Sequence, residues 1–359
     1  MRIARWEEIP RVDRPEGETP VAGRGSEATE TKRGEGFVIG DSVVPFPDGL
    51  TVADVLARGL DAAHSAFRLA NTRTERANAS RSVARRPEER IPLADVRLLA
   101  PVVPAAIRDF VAFEEHVEGV SASVDGRSEV VPEWYQAPTF YFTNPHTVLG
   151  PGEPVSPPVT ERLDFELEIA AVIGGVEGSD GANLTVQGAA SHIFGYTIMN
   201  DWSARDIQSR EMKVRLGPAK GKDFGTSLGP WIVTADELAP FLDADGFLAV
   251  RAEVRVNGEL IGEDLVSNMG WPFPELVAYA SRNSRVVPGD VLGSGTVGNG
   301  GCLGELWGRA GELVPPPLRE GDEVRMQVEG IGELVARVGA AVVAPALPQA
   351  RVRSRARTR

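Results

Sequence analysis

The stretch Asp164-Phe165-Glu166-Leu167-Glu168-Ile169 alternates acids with apolar residues and runs into a purely apolar segment, Ala170 to Ile173. Read as a strand, a period of two puts Asp164, Glu166 and Glu168 on one face and Phe165, Leu167 and Ile169 on the other. Neighbouring acids on that face are about 7 Å apart and repel by roughly 2 kcal/mol at an effective dielectric of about 20. An exposed strand face tolerates this. Here the strand enters a segment that reads as buried on both sides, where carboxylates must find a cation or take up protons. A hard divalent cation with oxygen ligands, magnesium or calcium, is the natural partner.

Other groups fall close by in the chain. The apolar run Ile193 to Met199 ends at Asn200-Asp201, and Trp202 to Gln208 reads as helical. Asp201 then serves either as a helix N-cap or as a further ligand. Arg205 and Gln208 are three residues apart and share a face near the helix N-terminus. A fixed cation, an amide and a positive dipole end suit a developing anion, with Arg205 paired to Asp206 or Asp201 as the structural alternative. Ala105 to Val117 also reads as a helix. It places Asp109 and His116 on one face, two turns and roughly 10 Å apart, which gives His116 a possible general-base role.

Two patterns are set aside. Gly293-Ser294-Gly295-Thr296-Val297-Gly298 fits G-x-G-x-x-G, but the following Asn299-Gly300-Gly301 is a poor helix start, so no dinucleotide site is expected. Gly217 to Asp223 is one residue short of a P-loop, with Asp223 where Ser or Thr is needed. Cys302, the single cysteine, precedes Glu305 in a Gly-rich loop and reads as a small buried residue.

The elements that must position these groups follow from the whole chain. At about 150 residues per domain, 359 residues suggest two domains or one large domain with an appendage. The 39 Gly and 27 Pro favour strands and turns over a helical bundle. Strands are expected at 140–142, 165–173, 194–199, 231–234, 248–256, 291–292, 324–328 and 334–338, with Asn257-Gly258 as a hairpin turn and a helix over 272–282. The fold class is therefore a β-rich α+β protein. Residues 1–95 read as a small N-terminal domain and connector, 96–345 as the catalytic domain, and 346–359 as a basic, disordered tail. Within the first part, short strands flank a polar loop from Glu16 to Gly36, Thr51 caps a helix, and an arginine-rich stretch from Arg68 to Arg90 reads as solvated. A net charge of −13 argues against nucleic acid. A spanning helix needs about 20 apolar residues, and Leu98 to Ile107 offers only ten with two prolines, so no membrane segment is expected. A lone cysteine fits a cytoplasmic location.

Met199-Asn200-Asp201-Trp202-Ser203-Ala204-Arg205-Asp206-Ile207-Gln208, followed by Leu216-Gly217-Pro218-Ala219-Lys220-Gly221-Lys222-Asp223-Phe224-Gly225-Thr226, resembles the signature of the fumarylacetoacetate hydrolase family. Glu166 and Glu168 are similar to its metal strand, and Gly293 to Thr296 with Glu305 to its substrate loop. The resemblance implies the family's mixed β-roll, usually a homodimer. It implies Asp109, Glu166, Glu168 and Asp201 as ligands of Mg²⁺ or Ca²⁺, and His116 as a water-activating base oriented by Glu305. Arg205, Gln208 and Lys222 would hold substrate oxygens and the leaving carbanion. Tyr141, Gly295 and Thr296 would contact substrate.

The expected reaction is metal-dependent hydrolysis of a C–C bond in an acylpyruvate- or fumarylacetoacetate-like 1,3-diketo acid, since such acids chelate a cation that stabilises an enolate. The alternative is decarboxylation, isomerisation or hydration of a 2-oxo acid. Ser209 to Lys213 lacks the tyrosine of the eukaryotic hydrolase, which points away from fumarylacetoacetate itself.

Overall fold

The computed structural model describes residues 1–10, 31–79, 90–125 and 130–351. Most of the polar loop expected at 16–36, part of the arginine-rich stretch and most of the basic tail lie outside these residues.

The strands up to residue 155 are β1 (Arg2–Glu8), β2 (Arg33–Ile39), β3 (Ser42–Pro45), β4 (Ile91–Pro92), β5 (Val96–Leu99), β6 (Ile107–Phe110), β7 (Phe140–Thr143), β8 (Val148–Leu149) and β9 (Pro154–Val155). Then come β10 (Leu163–Asp164), β11 (Leu167–Ile173), β12 (Ile193–Asp201), β13 (Ser203–Ala204) and β14 (Thr226–Thr234). The last five are β15 (Arg251–Val256), β16 (Glu259–Leu265), β17 (Val291–Gly293), β18 (Glu323–Val328) and β19 (Gly332–Val338). The helices are α1 (Val52–Arg58), α2 (Leu60–Ala79), α3 (Glu114–Asp125), α4 (Val186–His192), α5 (Arg205–Met212), α6 (Ala235–Leu238), α7 (Phe273–Ala280) and α8 (Leu303–Ala310).

A twelve-stranded mixed sheet runs β4-β3-β2-β1-β14-β12-β11-β17-β6-β7, with β5 beside β1 and β8 beside β14. The strands of the first hundred residues thus continue the sheet that carries the acids, through Arg2↔Val233 and Ile3↔Ile232. A second sheet, β16-β15-β18-β19-β9, packs its apolar side into the main core with Val250, Ala252, Val254, Met326 and Leu334. The result is a β-rich α+β fold.

Local chemistry explains most elements. Thr51 and Asp54 form a reciprocal capping box at the start of α1. Asn257 (φ 52°) and Gly258 (φ 87°) supply the two left-handed residues of the tight β15–β16 turn. β11 is buried at all seven positions, as its apolar run requires of a strand covered on both faces.

Three expectations are corrected. Ala105 to Val117 is not one helix: Asp109 lies on β6, pairing in parallel with β17 and antiparallel with β7, and α3 starts only at Glu114. Two flanking strands satisfy the backbone of Ile107 to Phe110, and this outweighs the apparent helical spacing. The acidic row is not one continuous strand. The Phe165 N–H donates to Asp164 Oδ1 (2.8 Å) and the Glu166 N–H to Asn200 Oδ1 (3.1 Å), so side chains replace ladder partners and break the strand there. Finally, Ser203–Ala204 is extended against Leu163–Asp164, so α5 begins at Arg205 with Ala204 as N-cap, and Asp201 caps nothing.

Candidate active site

Asp109 pairs directly with Gly293 on one side and with Tyr141 on the other. Strands lie about 4.8 Å apart, so Asp109 on β6 and Glu168 on β11 are separated by two strand spacings with β17 between them. Their carboxyls nevertheless meet, because the intervening residue is Gly293. A Cβ there would fall 2.7 Å from Glu168 Oε2 and 2.8 Å from Asp109 Oδ1. Asp109, Glu166 and Glu168 each offer an oxygen within 4.8 Å of the others, and all three are buried. Asp201, at the end of β12, joins through shared partners. The Tyr141 hydroxyl, with one proton to donate, lies within hydrogen-bond distance of both Asp109 Oδ2 (2.8 Å) and Asp201 Oδ2.

Two cations enter the cluster. Lys222 Nζ lies 2.5 Å from Glu166 Oε2 and 2.8 Å from Asp201 Oδ2. Arg205 reaches Asp164 Oδ2 through Nε (2.8 Å) and Nη2 (2.7 Å), Glu166 Oε1 through Nη1 (2.7 Å), and Gln208 Oε1 (3.1 Å). Asp164 is thus an anchor for Arg205 rather than a member of the carboxylate trio. It also accepts the N–H groups of Leu303 and Gly304 at the start of α8, each at 2.8 Å.

Five buried acids, Asp109, Asp164, Glu166, Glu168 and Asp201, face two cations, and four of them titrate away from the ordinary carboxylate range. Burial pushes Glu166 up, but Lys222 and Arg205 outweigh this and hold it down at about 2. Burial, and then the charge of Asp201, push Asp109 up to about 8. Burial and Asp109 hold Glu168 well above the carboxylate range, and burial raises Asp201 against the pull of Lys222. Asp109 Oδ1, Glu168 Oε1 and Asp201 Oδ1 are buried without a hydrogen-bond partner. Carboxyl groups that ionise with difficulty in the absence of a further cation, and orphaned oxygens converging on one point, fit a divalent cation with oxygen ligands.

The remaining expected residues lie around this cluster. Gly295 (φ 80°) turns the chain after β17, and its N–H donates to Glu168 Oε2 (3.2 Å), so in this structure it serves the acid. Thr296 follows, buried. His116, in the first turn of α3, is buried. Burial holds its imidazole down at about 4, with Arg205 and Lys222 acting in the same direction against Glu166. Its expected partner Glu305 is fully buried on α8, where Gly119 of α3 packs over it. Among the described residues no hydrogen bond joins His116 to Glu305. Glu305 Oε1 instead meets Arg309 Nη2 at 2.6 Å, and burial raises its carboxyl to about 7 despite that arginine. His116 Nδ1 faces Cys302 Sγ at 3.7 Å.

Sequence reasoning missed three contributors. Asn200 orients the Glu166 backbone, Gly293 makes room for two carboxyls, and Cys302 touches the histidine. Each carried a signal without its role: Gly293 as the first glycine of the discarded G-x-G-x-x-G, Asn200 inside the family signature, and Cys302 as a small buried residue before Glu305.

Carboxylates, two buried cations and a neutral imidazole gathered at the ends of sheet strands are the equipment of an enzyme of small-molecule chemistry. The chain belongs to the fumarylacetoacetate hydrolase family: the family model "Fumarylacetoacetate (FAA) hydrolase C-terminal" matches residues 105–339. It is 32% identical to the fumarylacetoacetase of Arabidopsis thaliana over 60% of this chain and 61% of that protein. The chain thus spans less than two thirds of the length of that curated relative. It is 30% identical to the oxaloacetate tautomerase YisK of Bacillus subtilis, over 69% of this chain and 74% of the other. The fold matches maleylpyruvate hydrolase from Sphingobium sp. SYK-6, solved with manganese(II) ion and pyruvate. The TM-score is 0.62 at 20% identity, covering 95% of this chain and all of that one. No helix of the described residues is long and apolar enough to cross a membrane.

Proposed function

We propose that the chain is a divalent-metal-dependent hydrolase that cleaves a C–C bond in an acylpyruvate- or fumarylacetoacetate-like 1,3-diketo acid. The observation that carries this reading is a buried imidazole, held neutral, beside a cluster of buried carboxyl groups that outnumber their two cations. Asp109, Glu166, Glu168 and Asp201 would hold Mg²⁺ or Ca²⁺, which when bound supplies Lewis acidity toward a pair of substrate oxygens. His116, unprotonated at neutral pH, takes a proton from the attacking water. Arg205 and Lys222, fixed by ion pairs on several sides, set positive charge where the departing carbon becomes negative. Gln208, Tyr141, Gly295 and Thr296 line the approach and contact the substrate.

The similarity to a tautomerase supports a second reading, enol–keto isomerisation or decarboxylation of a 2-oxo acid, which needs no attacking water. Acylpyruvates turned over in ¹⁸O-water with magnesium separate the two. The hydrolase places label in a newly formed carboxylate. Isomerised or decarboxylated product without that label overturns the hydrolase in favour of the second reading.

A further inference from the structure

Lys222 follows an excursion of the chain in which Met212, Lys213, Val214, Arg215 and Leu216 are all exposed, Leu216 at 87%. Such a stretch has little of its own with which to fix the residue at its end. Glu211, in the last turn of α5, bridges it. Its Oε2 accepts the N–H groups of Ala219 (3.0 Å) and Gly221 (3.1 Å), and its Oε1 accepts that of Lys220 (2.8 Å). Three consecutive amides, immediately before Lys222, are thus gathered on one carboxylate. The returning chain lies close on α5. A Cβ at Gly217 would fall 2.9 Å from Glu211 Cβ, and one at Gly221 would fall 2.7 Å from the Gln208 nitrogen. The Gly221 carbonyl also accepts the Ala204 N–H at 2.8 Å, so the same segment reaches the N-cap of α5. An acid in the last turn of a helix meets the negative end of the dipole, so the helix itself gives Glu211 no support. The three amides do. Burial acts to raise its carboxyl, yet these N–H groups and Arg210 hold it below the ordinary range.

We propose that Glu211 is a positioning residue for Lys222: its carboxylate ties residues 219–221 to α5 and so holds Lys222 Nζ between Glu166 and Asp201, in a fixed relation to Arg205 of the same helix. Hydrogen bonds to an ionised acceptor are the strong ones, and here three of them close a loop that is otherwise in solvent. This rests on the reading of Lys222 as the charge set at the departing carbon.

The test reads the lysine first and its work second. Full-length protein in magnesium is treated with acetic anhydride, and acetylation of Lys222 is followed by peptide mass spectrometry against the exposed Lys32. Glu211→Ala is expected to raise Lys222 acetylation about tenfold relative to Lys32. With acetylpyruvate as substrate, Glu211→Ala is expected to lower kcat about tenfold with KM little changed, and Glu211→Ala combined with Lys222→Met to be no slower than Lys222→Met alone. Lys222 acetylated at the wild-type rate in Glu211→Ala overturns the proposal, as do losses that multiply in the double variant. If the alanine variant does not fold, Glu211→Gln takes its place, since its amide sets an N–H against one of the three donors. Faster acetylation of Lys222 in that variant supports the proposal, and the wild-type rate overturns it. Acetylation needs no turnover, so it decides the positioning even where acetylpyruvate is not cleaved, and the isotope experiment decides the hydrolase reading separately.

Discussion

Asp109 lies directly across the parallel ladder from Gly293, and the missing side chain at Gly293 is what lets its carboxyl reach Glu168 over an intervening strand. A methyl group at that position would also fall 2.6 Å from Met199 Cε. Gly293→Ala is therefore expected to lower divalent-cation affinity by at least about tenfold and to cost about 1–3 kcal/mol of stability, as overpacking in a closed core does. Calorimetric titration with magnesium, paired with denaturant unfolding, checks both. Affinity equal to wild type would show that the two carboxyls do not act as a unit.

Stability without cation should fall as pH rises. Asp109 keeps its proton in the folded state up to about pH 8, whereas the unfolded carboxyl loses it near 3.8. Glu305, raised to about 7, acts in the same sense. Between pH 6.5 and 8 the folded state binds more protons than the unfolded one, so unfolding becomes easier by on the order of 1 kcal/mol per pH unit for each proton retained. Thermal melts in chelator at the two ends of that window should show the loss, and saturating magnesium should reverse it at the upper end. Equal melting temperatures with and without the ion at pH 8 would count against a cation at this cluster.

Activity should persist in acid. A general base works only when unprotonated, and burial keeps His116 neutral down to about pH 4. The acid limb of kcat/KM attributable to His116 is expected near that value, not near the ordinary histidine value of 6.5. His116→Ala should lose about 10²- to 10⁴-fold in kcat. Full activity in that variant would remove His116 from the reaction.

Arg205 holds Asp164 through two nitrogens and Glu166 through a third. Lysine cannot reproduce that planar fork. Arg205→Lys is expected to destabilise the protein by about 2–3 kcal/mol, and Arg205→Ala by about 3–5, because buried acids are left unpaired. Urea unfolding of the three proteins measures the order, and an alanine variant as stable as wild type would contradict it.

The sequence disclosed those parts of the fold whose signal is local. The apolar runs of β12, β18 and β19, the hairpin at Asn257-Gly258, the cap at Thr51 and the helix within 272–282 all depend on neighbours a few residues away. The metal-strand acids Glu166 and Glu168 were visible because their alternation led into an apolar run. Asp109 was placed on the wrong element. Ile107-Arg108-Asp109-Phe110 is four residues long, buried throughout and without alternation, and its strand identity comes from partners thirty or more and more than a hundred and eighty positions away. The Asp164–Glu166 break was hidden for the same reason, since the side chain that replaces the ladder partner, Asn200, belongs to another strand. The pairing of Glu305 with Arg309 has a helical spacing of four and was open to prediction.

The continuity of the large sheet bears on how this enzyme can be dissected. Residues 105–339 carry the family match, yet the Ile232–Val233 end of β14 is paired by Arg2 and Ile3 of β1, and Ile3, Phe37, Phe46 and Leu56 share a core with Ala170, Val172, Phe194 and Ile232. A fragment cut to the matched span would present bare amide groups beside greasy surface, an invitation to edge-to-edge aggregation. Whoever trims this gene for expression should keep the leading strands attached.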